Sequence, residues 1–301
     1  MLKTDGWRLA LCLTLALCAC KDSSVDVITP ADSGSQVLSS MHQALPGYIA
    51  SALAENQGNL PRNPQIASYI QAKIDLLQRP TLATDIMTGR FNAAVSARSS
   101  DGRLIPIVTV FALAGMRTEA ARNVATLERA LSILENFLAI PFPRSDVRMW
   151  YGFIIGNSGG GGTLYMEDQT TYEIRTPATR LPYEAITCHE LSHSYIAHES
   201  LNQFLELYVY NLDRTNSAAL TSWVFTRGYT PMATTNQGVH ALLDVYRLIG
   251  RDAMARAYRV VYALRPPYGV VLSAEVRQAF VDQAATAQQD QVRDLMAKVT
   301  F

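Results

Sequence analysis

Residues 188–193 read Cys188-His189-Glu190-Leu191-Ser192-His193 and contain the pattern H-E-x-x-H. Residues four apart on an α-helix lie one turn on and about 40° apart around the axis, so His189 and His193 can hold one ion between them. Neutral imidazole suits Zn²⁺, and a catalytic zinc keeps one coordination position for water. Glu190 is displaced by about 100° and can reach that water as general base, while the metal lowers the water's pKa. The spacing therefore predicts a catalytic zinc centre, with His189 and His193 as ligands and Glu190 as the base.

The flanking residues predict a buried helix. Pro182 can open it at the first turn, with Glu184 near the positive N-terminal end. Ala185, Ile186 and Ile196 share the face of the two histidines, while Cys188, Leu191 and Tyr195 occupy the opposite one. A helix apolar on both sides is buried, and histidines on a buried helix need partners. The plain alternative is a pair of hydrogen-bonded core histidines with an incidental Glu between them. Cys188 lies about 100° from the ligand direction, so it reads as a small buried hydrophobe rather than a sulfur donor.

A third ligand has to come from further along the chain. Glu199 occupies the place of the last His in the extended H-E-x-x-H-x-x-G-x-x-H motif of metzincins, but Ile196 stands where that motif has Gly to turn the chain. If the helix continues, Glu199 and His198 point well away from the metal. If it ends near His198 and a turn through Ser200–Asn202 starts an antiparallel helix, Glu206 returns to the level of the histidines. Glu206 is the expected third ligand and Glu199 the alternative.

Phe204-Leu205-Glu206-Leu207-Tyr208-Val209-Tyr210 resembles the W-L-x-E-G-x-A-x-Y element that follows H-E-x-x-H in gluzincins of the peptidase MA type, the thermolysin-like and aminopeptidase-like zinc enzymes. Upstream, Leu134-Glu135-Asn136-Phe137, then Pro141-Phe142-Pro143 and a strand over 147–155, are similar to that family's helix, P-F-P and strand run. Gly159–Met166 matches its glycine-containing edge strand. The resemblance spans roughly Phe91 to Phe280, with two departures: Leu207 replaces the Gly after the ligand Glu, and the gap from His193 to Glu206 is short. It implies a thermolysin-like α+β catalytic domain that hydrolyses peptide bonds, with an edge strand, here Gly162, Thr163 and Leu164, pairing with extended substrate backbone. It also implies a Tyr or His near the oxyanion, for which Tyr229 and His240 are the candidates, although Thr235 and Gln237 replace the Tyr and Lys of the aminopeptidase-like Y-x-K-G. A Gly-Ala-Met-Glu-Asn-like anchor for a substrate amino terminus is not present at Gly161–Tyr165, and Glu167 is the nearest carboxylate. Exo- and endopeptidase activity stay equally open.

At the N-terminus, Lys3 and Arg8 precede the apolar run Leu9–Ala19, after which Lys21, Asp22, Ser23 and Ser24 turn polar. A basic start, a short apolar stretch and small residues before a break describe a secretory signal peptide, and the run is too short for an ordinary membrane span. Leu17-Cys18-Ala19-Cys20 resembles the lipobox of bacterial lipoproteins, which implies lipidation of Cys20 and attachment to the cell envelope, on its periplasmic or outer face. Cys12 and Cys18 would then leave with the signal, and Cys188 alone would remain in the mature fold, without a disulfide framework.

Composition narrows the field. The chain of 301 residues is 49% hydrophobic and 17% charged, with 26 basic and 26 acidic side chains. A formal net charge of zero removes the electrostatic case for nucleic-acid binding. The lysines are Lys3, Lys21, Lys73 and Lys298, so no phosphate-binding G-x-x-x-x-G-K-[ST] loop exists and no nucleotide is expected. The expected order is a signal over 1–19, a Ser/Asp/Thr-rich tether over 20–35, an N-terminal helical segment over 36–80 and a metallopeptidase-like domain over 81–301. Within that domain, strands precede helices, which predicts an α+β fold with a mixed-sheet subdomain, the H-E-x-x-H helix and a helical C-terminal subdomain. The expected partner is a peptide or protein substrate. A zinc-binding or peptide-binding envelope lipoprotein without turnover is the second expectation, and a structural lipoprotein without metal the third.

Overall fold

The computed structural model describes residues 33–62, 64, 67–88, 90–151, 161–165, 170–174, 183–210, 233–264 and 272–300, with the side chains of 69, 161–165, 170–174, 183–186, 210 and 233–237 left aside. The signal, Cys20, Glu167 and Tyr229 therefore lie outside the described residues. The fold is α+β, with a small mixed sheet and mostly helical content.

Helices α1 (Ser33–Asn59), α2 (Ala67–Leu77) and α3 (Leu82–Met87) come first. The last residues assigned to the tether, Ser33–Ser35, already belong to α1. Strands β1 (Asn92–Arg98) and β2 (Leu104–Phe111) form an antiparallel pair, and Asp101-Gly102, a hairpin dipeptide, lies in the turn between them, where Gly102 supplies a positive φ of 88°. Helix α4 (Arg117–Leu138) buries Ala120, Val124, Leu127, Leu131, Leu134 and Leu138, spaced by three and four residues along one stripe. It stops at Ala139, whose left-handed backbone (φ 52°) returns its N–H to the carbonyl of Glu135 at 2.8 Å.

Strands β3 (Val147–Tyr151), β4 (Gly161–Tyr165) and β5 (Thr170–Ile174) complete a sheet of order β1-β2-β3-β5-β4. Its centre is parallel, β2 on β3 and β3 on β5, and its two outer strands run antiparallel to their neighbours. Gly162, Thr163 and Leu164 thus lie on an outer strand among the described residues, with β5 between it and the H-E-x-x-H helix along the chain.

Alternation along β2 and β3 explains how the sheet is covered. Ile107 and Phe111 of β2, with Val147, Met149 and Tyr151 of β3, join α4 in the main core. Val108, Val110 and Trp150 point to the other face and pack with Met41, Leu45 and Ile86 of the N-terminal helices. Tyr48 of α1 stacks on Trp150 with ring centroids 4.3 Å apart. A strand buried on both faces reads as a continuous apolar run, as Leu104–Phe111 does.

The remaining helices are α5 (Tyr183–Ser192), α6 (Glu199–Tyr210), α7 (Ala233–Leu264, broken at Gly250, φ 80°), α8 (Ser273–Val281) and α9 (Gln289–Met296). Phe204 and Tyr208 anchor α6 against Phe137 of α4 and Tyr246 and Tyr258 of α7. The Tyr258 hydroxyl donates to the carbonyl of Leu201 at 3.0 Å. That apolar side of α6 leaves its opposite side facing α5. No helix among the described residues is long and apolar enough to cross a membrane.

Lys73 on α2 is 5% exposed, and burial pushes its ammonium down from 10.5 to about 8. Between those two values the unfolded chain holds more protons than the folded one, so stability rises with pH across that window. The full penalty, about 3 kcal/mol for a shift of this size, is present below pH 8 and gone above pH 10.5. Lys73→Met is therefore expected to stabilise the fold at pH 7 by about 1–3 kcal/mol, an advantage that shrinks by pH 10. Urea unfolding of both proteins at the two pH values checks this. An advantage equal at both would refute it.

Candidate metal centre

The H-E-x-x-H helix is buried as its flanks predict: Thr187, Cys188, Leu191 and Ser192 have no exposed surface, and Glu190 is nearly covered. Cys188 sits in the main apolar core, as a small hydrophobe would. The helix ends earlier than expected. Regular α-helix stops at Ser192, and the N–H groups of His193, Ser194 and Tyr195 turn to the carbonyls three residues back, at 3.2, 3.0 and 2.9 Å. The Ser192 hydroxyl donates to the carbonyl of Cys188 at 2.8 Å, the local competition that weakens a helix at serine.

The chain then reverses without glycine. Ala139 is the sole non-glycine residue with positive φ among those described, so Ile196 makes its part of the turn in ordinary backbone geometry. Its carbonyl, exposed by the turn, accepts from the Asn202 amide at 2.5 Å. Helix α6 consequently begins at Glu199.

This early reversal brings Glu199 to the histidines. Nε2 of His189 and Nε2 of His193 are 3.1 Å apart. One carboxylate oxygen of Glu199 lies 3.1 Å from the first and the other 3.4 Å from the second. Among the described residues, the group of side chains able to hold a metal comprises His189, His193 and Glu199. For zinc bonds of about 2.0 Å, a tetrahedral edge measures about 3.3 Å, so the three donors stand where one face of such a tetrahedron requires them. Two neutral imidazoles and a carboxylate are also the donor chemistry that zinc takes.

Glu206 is placed differently from the expectation that made it the third ligand. Its carboxylate, 1% exposed as a residue, lies 3.2 Å from Nδ1 of His189, on the side of the ring away from the Nε2 pair. The physical reason is the length of α5. A helix running to His198 would have put the start of α6 further along and Glu206 level with the histidines. With α6 starting at Glu199, seven residues, or about 10 Å of helix rise, separate the two glutamates. Asn202 stands beside the other ring: its amide nitrogen lies 2.6 Å from Nδ1 of His193. Glu199, Asn202 and Glu206 occupy one face of α6 at i, i+3 and i+7, so one helix supplies a carboxylate to the Nε2 pair and a polar partner to each Nδ1. Asn202 was not singled out from the sequence; the signal for Glu199 was its spacing of six from His193.

The electrostatics suit a cation. Three carboxylates, Glu190, Glu199 and Glu206, surround two imidazoles. Burial by itself pushes His189 down, but Glu199, Glu206 and Glu190 outweigh it and hold the imidazole well above its ordinary value. Partial burial opposes ionisation of Glu199, yet the two imidazoles hold its carboxyl well below the usual carboxylate range.

Of the other predicted residues, His240 lies half-buried on α7 and is not part of the group formed by His189, His193 and Glu199. Gly162, Thr163 and Leu164 are placed by their backbone on β4, which with β5 lies against α5.

No protein-family model and no curated protein matches the chain. Solved structures similar to it include an M1 zinc metallopeptidase from Deinococcus radiodurans, at 15% identity and TM-score 0.48, over 68% of this chain and 51% of that one. A mutant two-domain M1 zinc metallopeptidase bound to L-tryptophan is similar at 13% identity and TM-score 0.48, over 68% and 51% of the two chains. The chain spans about half the length of these structures.

Proposed function

We propose that this protein is a zinc-dependent hydrolase of peptide bonds, with His189, His193 and Glu199 as the metal ligands. The observation that carries the proposal is the triangle of donors at 3.1, 3.1 and 3.4 Å, with the general-base candidate Glu190 next to the first ligand in sequence. A zinc ion held by these three residues would polarise a carbonyl and make a water acidic enough to be used at neutral pH. Glu190 takes the proton of the attacking water and passes it to the departing amine. Glu206 and Asn202 stand beside the two Nδ1 atoms and keep the rings turned so that both Nε2 atoms face the same point. The outer strand β4, through Gly162, Thr163 and Leu164, offers its backbone to an extended substrate. Lipidation at Cys20 would hold the enzyme at the bacterial cell envelope.

A fluorogenic peptide library incubated with the soluble protein, residues 21–301, tests the proposal. Cleavage should disappear after treatment with a zinc chelator and return on addition of one equivalent of zinc. Fully zinc-loaded protein that cleaves no member of the library would instead make this a zinc-binding envelope protein without turnover.

A further inference from the structure

A ligand on the first residue of a helix is only as well placed as the start of that helix. Glu199 opens α6, and its side chain is 55% exposed, so packing does little to fix it. Helix ends fray because their first N–H groups lack intrahelical partners. Something else has to hold the backbone here.

The residue next to it, Ser200, is buried, and its hydroxyl donates to the carbonyl of Thr300 at 2.9 Å, across 100 positions of sequence. Gly238, near the start of α7, approaches the same point: a Cβ there would stand 3.1 Å from Ser200 Oγ and 3.7 Å from the Cα of Val299. The segment that reaches Ser200 is itself clamped. Arg277 of α8 donates from Nε to the carbonyl of Met296 at 3.1 Å and from Nη2 to that of Val299 at 3.0 Å, and the Val299 side chain is fully buried.

We propose that the segment Met296–Thr300 is a strut of the metal centre, acting through Ser200 to fix the first turn of α6 and so the position of Glu199. Ser200 and Arg277 are then positioning residues, and a methyl group at Gly238 would press on Ser200 Oγ, which would have to give by a few tenths of an ångström. The inference rests on Glu199 being a ligand.

The test compares wild type, Ser200→Ala, Gly238→Ala and Ile74→Val. Ile74 is buried on α2 in a separate cluster, so its truncation controls for general loss of stability. Zinc affinity is read by competition with a chromogenic chelator, and ligand geometry by the visible spectrum of the cobalt(II) protein. Ser200→Ala and Gly238→Ala should each bind zinc about tenfold more weakly and shift the cobalt spectrum, while Ile74→Val lowers Tm and leaves both unchanged. Wild-type affinity and spectrum in Ser200→Ala would overturn the strut and leave the zinc site standing. A wild type that binds no metal would overturn both.

Discussion

Glu190→Gln should lower peptide hydrolysis by about 10²–10⁴-fold while the protein keeps its zinc. The substitution preserves shape and removes the group that accepts the proton of the attacking water. Glu190 is nearly buried, between residues packed into the core, and it is not among the side chains that converge as metal donors. Its loss should therefore fall on kcat, with zinc content and KM near wild type. Zinc lost together with activity would make Glu190 a ligand or a structural support. Activity retained would mean that another group serves as the base.

The second large effect separates the two glutamates of α6. Glu199→Ala removes the carboxylate that spans both Nε2 atoms and should yield protein that loses its zinc on dialysis. Glu206→Gln removes only the charge beside Nδ1 of His189, so it should retain one zinc with about 10–100-fold lower affinity. The reverse order, with zinc lost on Glu206→Gln and kept on Glu199→Ala, would restore Glu206 to the ligand role that its position in the sequence first implied.

The contrast between these two residues also marks how far the sequence could be read. His189, Glu190 and His193 follow from helix periodicity alone, because positions i and i+4 meet whatever the surrounding fold does. The third donor depends on where α5 stops, and no Gly or Pro lies between Ser192 and Glu199 to announce a break. The break is made by contacts: the Ser192 hydroxyl on the Cys188 carbonyl, and the amide of Asn202, ten residues on, capping Ile196. A residue-by-residue pattern carries no such information. The N-terminal helices teach the same lesson. Met41, Leu45 and Tyr48 mark an apolar side of α1, but only the structure shows that this side covers the second face of the sheet through Val108, Val110 and Trp150. By contrast, the β1–β2 hairpin was legible because Asp101-Gly102 fixes it locally. The three-and-four spacing of Ala120, Val124, Leu127, Leu131, Leu134 and Leu138 likewise carries α4 in the sequence itself.

The proposed activity requires that His189, His193 and Glu199 hold an ion. The most direct measurement is the metal content of the purified soluble protein by elemental analysis. One zinc per chain is the expected result, whereas wild-type protein that stays free of metal after exposure to equimolar zinc would contradict the account at its centre.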